Sequence, residues 1–130
     1  MQRVLVLGGG VGGTLVANLI SRKLKSAIDA GEAVVTVVDE SGTHVYQPGF
    51  MYIAMGGERA EHLQRPERGL LNSRVNLVVG EVERVDEAAQ SVHLKDGQRL
   101  AYDQLVLASG SRIVPEAIEH FEAEAHHFYT

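Results

Sequence analysis

"VLVLGGGVGG", Val4 to Gly13, sets an apolar run directly against a stretch in which five of six residues are glycine. The apolar run reads as a buried strand over residues 3–7, and the glycines as a turn. From Thr14 to about Ile28 the apolar spacing becomes helical. Leu15, Val16, Leu19, Ile20, Leu24, Ala27 and Ile28 fall on one stripe, and Gly31 supplies a stop. Ala33 to Val38 is a second, β-branched run, closed by Asp39 and Glu40. Strand, helix and strand in this order make a βαβ unit with a right-handed crossover.

Gly8, Gly10 and Gly13 match G-x-G-x-x-G, with Val11 and Gly12 as the variable positions. Each glycine has a physical reason. Gly8 permits the tight turn out of the strand. Gly10 lets a pyrophosphate approach bare backbone, and Gly13 lets the helix pack close to the strand. The phosphate charge is met by N–H groups at the helix start, so the loop needs no lysine. Asp39, ending the second strand, can accept both ribose hydroxyls of an adenosine and repels a 2′-phosphate. It lies a little farther along than the usual ~20 residues. Glu40 is the competing carboxylate and otherwise reads as a solvated loop charge.

Outward from this unit, residues 41–57 are irregular, with Pro48-Gly49 as a turn and a short helix opening at Ile53 to Met55. Residues 58–72 predict a second helix, or part of one, anchored by Leu63, Leu70 and Leu71. Residues 75–79 are a short buried strand. The period then becomes two, over roughly residues 81–86, 91–95 and 98–102, with Asp96-Gly97 as a hairpin turn. This predicts a three-stranded antiparallel meander. Residues 104–108 return to a buried strand that ends in Ala108-Ser109-Gly110, and Pro115 suits the first turn of a last helix. The expectation is a single α/β domain over 1–130 in three layers. A mostly parallel sheet carries the helix (about 13–29) on one face and the meander on the other.

The bulk properties exclude several classes. The net charge of −5 and the scatter of Lys and Arg argue against nucleic acid. The Arg22-Lys23-Lys25 cluster reads as a solvated helix face. Cysteine is absent, which removes disulfides and thiolate ligands. No apolar run reaches the ~20 residues of a membrane span, and the start is not a secretory signal. His44, His62, His93 and His120 are dispersed and His126-His127 diverge, so no metal site is expected; helical surface pairing accounts for Glu122 and His126. Ser109 lacks a base and a G-x-S-x-G elbow. No catalytic residue is assigned.

Taken together, the glycine loop, the acidic strand end, the meander and "LASG" resemble the FAD domain of FAD-dependent pyridine nucleotide-disulfide oxidoreductases. "HVYQPGF" (His44 to Phe50), "YDQLVLASGSR" (Tyr102 to Arg112) and "EAHHFYT" near the end are most similar to sulfide:quinone reductases and type II NADH dehydrogenases. The resemblance covers this chain but only the opening part of such an enzyme, so an N-terminal fragment is expected. It implies FAD as cofactor, held by Gly8, Gly10, Val11, Gly12, Gly13, Asp39, Glu40, Gln47, Pro48, Val82, Ala108, Ser109 and Gly110. The loop around Gln47 and Pro48 would run near the flavin ring. The complete enzyme would pass two electrons from sulfide or NADH to a quinone. It would be cytoplasmic or peripheral at the inner face of the membrane, and surface left uncovered would invite homo-oligomers. A second reading is a non-enzymatic NAD-binding regulatory domain. The glycine loop and Asp39 suit it equally; the meander and "LASG" do not.

Overall fold

The computed structural model describes residues 1–120. In chain order the elements are β1 (Gln2–Leu7), α1 (Val11–Lys23), α2 (Lys25–Asp29), β2 (Ala33–Asp39), β3 (Thr43–Val45) and α3 (Phe50–Ala54). They are followed by β4 (Gln64–Pro66), β5 (Val75–Val79), β6 (Val82–Asp86), β7 (Ser91–Leu94), β8 (Arg99–Ala101) and β9 (Gln104–Leu107). A parallel four-stranded sheet, in the order β5-β2-β1-β9, forms the middle layer.

The sheet strands read as continuous apolar runs because both of their faces are covered. Side chains alternate across β1. Val4 and Val6 pack with Val35, Val37, Val75 and Ala17 on the helix side. Leu5 and Leu7 pack with Val38, Val92, Leu94 and Tyr102 on the meander side. The meander, β6-β7-β8, is antiparallel. Its second turn is made by Asp96 and Gly97, where Gly97 takes φ +90 and Asp96 Oδ1 accepts the Gln98 N–H at 2.8 Å. The three-layer α/β architecture follows the sequence expectation.

Two expectations fail. The first is part of the apolar stripe of the helix. Ile20, Leu24 and Ile28 pack against the core as expected, but Leu15 and Leu19 are 57% and 46% exposed. The buried face of α1 is Gly13, Thr14, Ala17 and Ser21. Small side chains bring the helix axis close to the sheet, and the larger residues are pushed to its flanks. The helix also begins at Val11, inside the glycine stretch, and is interrupted at Leu24 before α2.

The second is a helix over 58–72. That stretch forms two single 3-10 turns, Ala60–Leu63 and Glu67–Gly69, on either side of β4. Pro66 cannot sit in a helix interior without removing a hydrogen bond and clashing with the preceding turn. Gln64–Pro66 instead pairs antiparallel with Thr43–Val45. The preceding loop is also more ordered than expected: it contains β3, a 3-10 turn at Gln47–Gly49, and α3. At the far end, Pro115–Ala117 is a 3-10 turn. Ile118 after it is extended, so over the described residues the expected last helix is only that turn; residues 121–130, with "EAHHFYT", lie outside them.

One polar clip ties the start of β1 to the start of its neighbour β9. Asp103 Oδ2 accepts the Arg3 backbone N–H at 2.6 Å, and Asp103 Oδ1 accepts from the Arg3 guanidinium at 2.8 Å. The Asp103 N–H in turn donates to the Arg3 carbonyl at 2.9 Å. The hydrogen bonds from the Arg3 side chain, then that from its backbone, hold the Asp103 carboxyl down at about 2. An unfolded Asp titrates near ~3.9, so the clip is fully present above about pH 4 and is lost as the pH falls through about 2. Over that window the wild type should lose more thermal stability than Asp103→Asn, measured by circular dichroism melts. Equal losses would show that the clip does not couple to folding.

Candidate functional site

The C-terminal ends of β1, β2 and β9 meet at the glycine loop, the position where open parallel sheets present ligands. Gly8 leaves β1 with φ +105, a conformation that side chains rarely adopt, and its N–H donates to the Val38 carbonyl at 2.8 Å. A Cβ there would overlap the Ala108 carbonyl oxygen. A Cβ on Gly13 would overlap the Gly8 carbonyl oxygen. These two glycines are required by packing.

Gly10 and Gly12 differ. A Cβ on either would meet nothing within 4 Å. The open space is a cavity of about 700 Å³ lined by Gly8 to Gly12, Asp39, Thr43, Val45, Gln47, Pro48 and Ala108 to Ser111. The first helical bond of α1 runs from the Thr14 N–H to the Gly10 carbonyl at 2.9 Å. The N–H groups before it have no carbonyl of an earlier turn to meet. They form a neutral, positively polarised mouth at the cavity wall, suited to an anion.

A second cavity of about 460 Å³ adjoins the first. Its walls are Leu7, Val38, Glu40, Gly80, Glu81, Val82, Val85 and Leu107, and it shares Gly8, Asp39 and Ser109 with its neighbour. One chamber is thus lined by glycine backbone, and the other by apolar side chains with three acidic residues, Asp39, Glu40 and Glu81. Of the sequence-predicted site residues, Glu40 and Val82 line the second chamber. Gly10, Val11, Gly12, Gln47, Pro48, Ala108 and Gly110 line the first, and Gly8, Asp39 and Ser109 line both. Gly13 lines neither; it is buried under Gly8.

Asp39 is more committed than its sequence position suggested. Its Oδ2 accepts the Gly9 N–H at 2.9 Å. Its Oδ1 accepts the N–H groups of Gly42 at 2.7 Å and Ser41 at 3.1 Å. It therefore knots the glycine loop to the turn after β2. Glu40, next to it, is exposed at the cavity rim.

Behind the loop lies a group that sequence reasoning missed. Glu67 is 0% exposed. Its Oε1 lies 2.6 Å from the Thr14 hydroxyl and its Oε2 3.0 Å from His44 Nδ1. Thr14 Oγ1 and His44 Nδ1 each also lie 3.0 Å from the Gly9 carbonyl. The β3–β4 pairing delivers both His44 and Glu67, and the Glu67 N–H is held by the Gly42 carbonyl at 2.9 Å. Among the described residues no buried side-chain polar atom lacks a partner, and no group of acidic and His side chains could hold a metal ion. No described helix is long and apolar enough to cross a membrane.

Comparison with known proteins agrees with this geometry. Residues 2–129 match the family model described as pyridine nucleotide-disulphide oxidoreductase. Among curated relatives, the sulfide-quinone reductase of Aquifex aeolicus is 27% identical over 87% of this chain and 25% of its own length. The type II NADH:quinone oxidoreductase of Haemophilus influenzae is 30% identical over 86% of this chain and 27% of its own. The crystal structure of the Aquifex aeolicus sulfide:quinone oxidoreductase superimposes with a TM-score of 0.84 at 24% identity, over all of this chain and 29% of that one. The chain therefore spans about a quarter of the length of the relatives it matches.

The geometry separates the roles of two neighbouring glycines. Gly12→Ala adds a methyl inside α1 with nothing to strike, so it should raise stability by about 0.5–1 kcal/mol through helix propensity. Gly13→Ala should lower it by about 3 kcal/mol or more, because the methyl overlaps backbone that cannot move aside. Urea titrations of both variants check this. Similar effects of the two would contradict the assigned packing.

Proposed function

The chain belongs to the pyridine nucleotide-disulphide oxidoreductase family, and on that premise we propose that it grips FAD for a flavoprotein oxidoreductase. The observation that carries the reading is the pair of joined chambers around the glycine loop. The pyrophosphate sits against the Gly10–Gly12 backbone, where glycine leaves the space a Cβ would fill. The adenosine enters the second chamber, between Val82 and Leu107, with its ribose toward the acidic rim. The rest of the flavin dinucleotide follows the first chamber past Gln47 and Pro48. Ser109 and Gly110, at the end of β9, close that chamber from the other side.

The two carboxylates divide the work. Asp39 is engaged with three backbone N–H groups and holds the loop. Glu40 is exposed and accepts the ribose hydroxyls. Both repel a 2′-phosphate, which disfavours NADP. When bound, FAD supplies two-electron chemistry at its ring. The described residues bind and orient it, and none is assigned as acid, base or nucleophile. In a complete enzyme the electrons would pass from a small donor, sulfide or NADH, to a quinone. The names of the relatives, a sulfide-quinone reductase and an NADH:quinone oxidoreductase, support that pairing.

Binding tests the reading directly. FAD added to the purified chain should bind with micromolar affinity, about −8 kcal/mol, measured by flavin fluorescence titration. ADP should compete, and NADP should not. Stabilisation by NAD with no response to FAD would overturn the reading in favour of an NAD-binding regulatory domain. Glu40→Gln should weaken FAD binding about threefold to tenfold, as expected when a charged acceptor is replaced by a neutral one. Asp39→Asn should act instead through the melting temperature. An unchanged FAD affinity in Glu40→Gln would remove Glu40 from the ribose site.

A further inference from the structure

The Gly9 peptide is held on both sides. Asp39 takes its N–H, while Thr14 and His44 face its carbonyl. A carbonyl oxygen can only accept, so the Thr14 hydroxyl and the His44 Nδ1–H face it as donors, each sharing its single proton between the Gly9 carbonyl and Glu67. Both groups rest in turn on Glu67, which is fully buried. The four groups close a ring: Gly9 carbonyl, Thr14 hydroxyl, Glu67 carboxyl, His44 imidazole. A fully buried carboxyl is costly unless it is hydrogen-bonded, and Glu67 meets that cost by bridging Thr14 of α1 and His44 of β3.

The consequence lies across the peptide bond. No peptide among the described residues is cis. In a trans peptide the N–H points opposite to the C=O. With the Gly9 carbonyl turned inward to Thr14 and His44, the Gly10 N–H is turned outward, toward the cavity that Gly10 lines. Releasing the carbonyl would free this peptide to rotate, because neither flanking glycine carries a Cβ to resist it.

We propose that Thr14, His44 and Glu67 are positioning residues that fix the Gly9–Gly10 peptide before any ligand arrives, so that the anion-binding cradle is preformed. The role rests on the FAD reading for its ligand but not for its geometry. A preformed cradle binds more tightly because the ordering cost is met on folding rather than on binding. Glu67 acts at one remove, by orienting the two donors.

The test uses the whole chain with ADP as a pyrophosphate probe, together with amide NMR of the ligand-free protein. Thr14→Val, close in shape, and His44→Phe should shift or broaden the Gly9 and Gly10 amide signals while that of Gly110, across the cavity on the β9 side, holds. Each should weaken ADP binding about tenfold, the cost of ordering one freed peptide on binding rather than on folding. Thr14→Ser and Glu67→Gln keep hydrogen-bonding groups in place and should restore both readouts. Glu67→Leu should behave like Thr14→Val. Variants that melt earlier yet keep wild-type Gly10 signals and ADP affinity would overturn the proposal and leave a purely structural cluster. If the wild type binds neither ADP nor FAD, the functional reading fails. The NMR arm then decides the positioning role alone: unmoved Gly9 and Gly10 signals reject it, and shifted ones sustain it.

Discussion

Among the glycines of the described residues, Gly13 has the least room for a side chain, where the start of α1 meets the residue that leaves β1. No methyl group fits between Gly13 and the Gly8 carbonyl. That single steric constraint sets the rest. It brings the N-terminus of the helix to the edge of the sheet. It forces small residues, Ala17 and Ser21, onto the face that follows. It leaves the loop between strand and helix too short for any side chain to mediate a ligand contact, so the backbone must do so. The anion cradle is what remains when a helix is packed this tightly onto a strand.

The loop is then held by side chains rather than by further backbone pairing. Asp39 binds it from the side of β2, and Thr14 and His44 bind it from beneath. These are charged or polar groups at modest exposure, where a hydrogen bond to a carboxylate is stronger than one between neutral partners. The arrangement leaves Asp39 little capacity for a further donor, which is why the proposal gives the ribose to its exposed neighbour Glu40. On that reading one carboxylate serves as a scaffold and the next as a ligand contact.

Much of this was legible in the sequence because it is local. The strand over residues 75–79 matches β5, and the other sheet strands agree to within a residue at each end. The glycine loop, the Asp-Gly turn and the meander carry signatures within a few residues. The failures are tertiary. The period of α1 pointed to Leu15 and Leu19 as core, because periodicity records which residues are apolar and not how close the helix comes. Residues 58–72 offered Leu63, Leu70 and Leu71 as anchors for a helix, but Pro66 and the pairing of β3 with β4 overrode it. The ring of Thr14, His44 and Glu67 joins positions far apart in the chain, and no periodicity or motif links them. Glu67 lies in a polar stretch beside a proline, and only the pairing of β3 with β4 shows that it is buried.

The account stands on one placement: a pyrophosphate on the Gly10–Gly12 backbone, with the adenosine in the chamber beside Glu40. A crystal structure of the chain soaked with FAD measures that placement directly. The account predicts both phosphates at the N-terminus of α1, the ribose hydroxyls on Glu40 and the adenine between Val82 and Leu107. Density for the dinucleotide elsewhere, or for phosphates turned away from the glycine backbone, would contradict it.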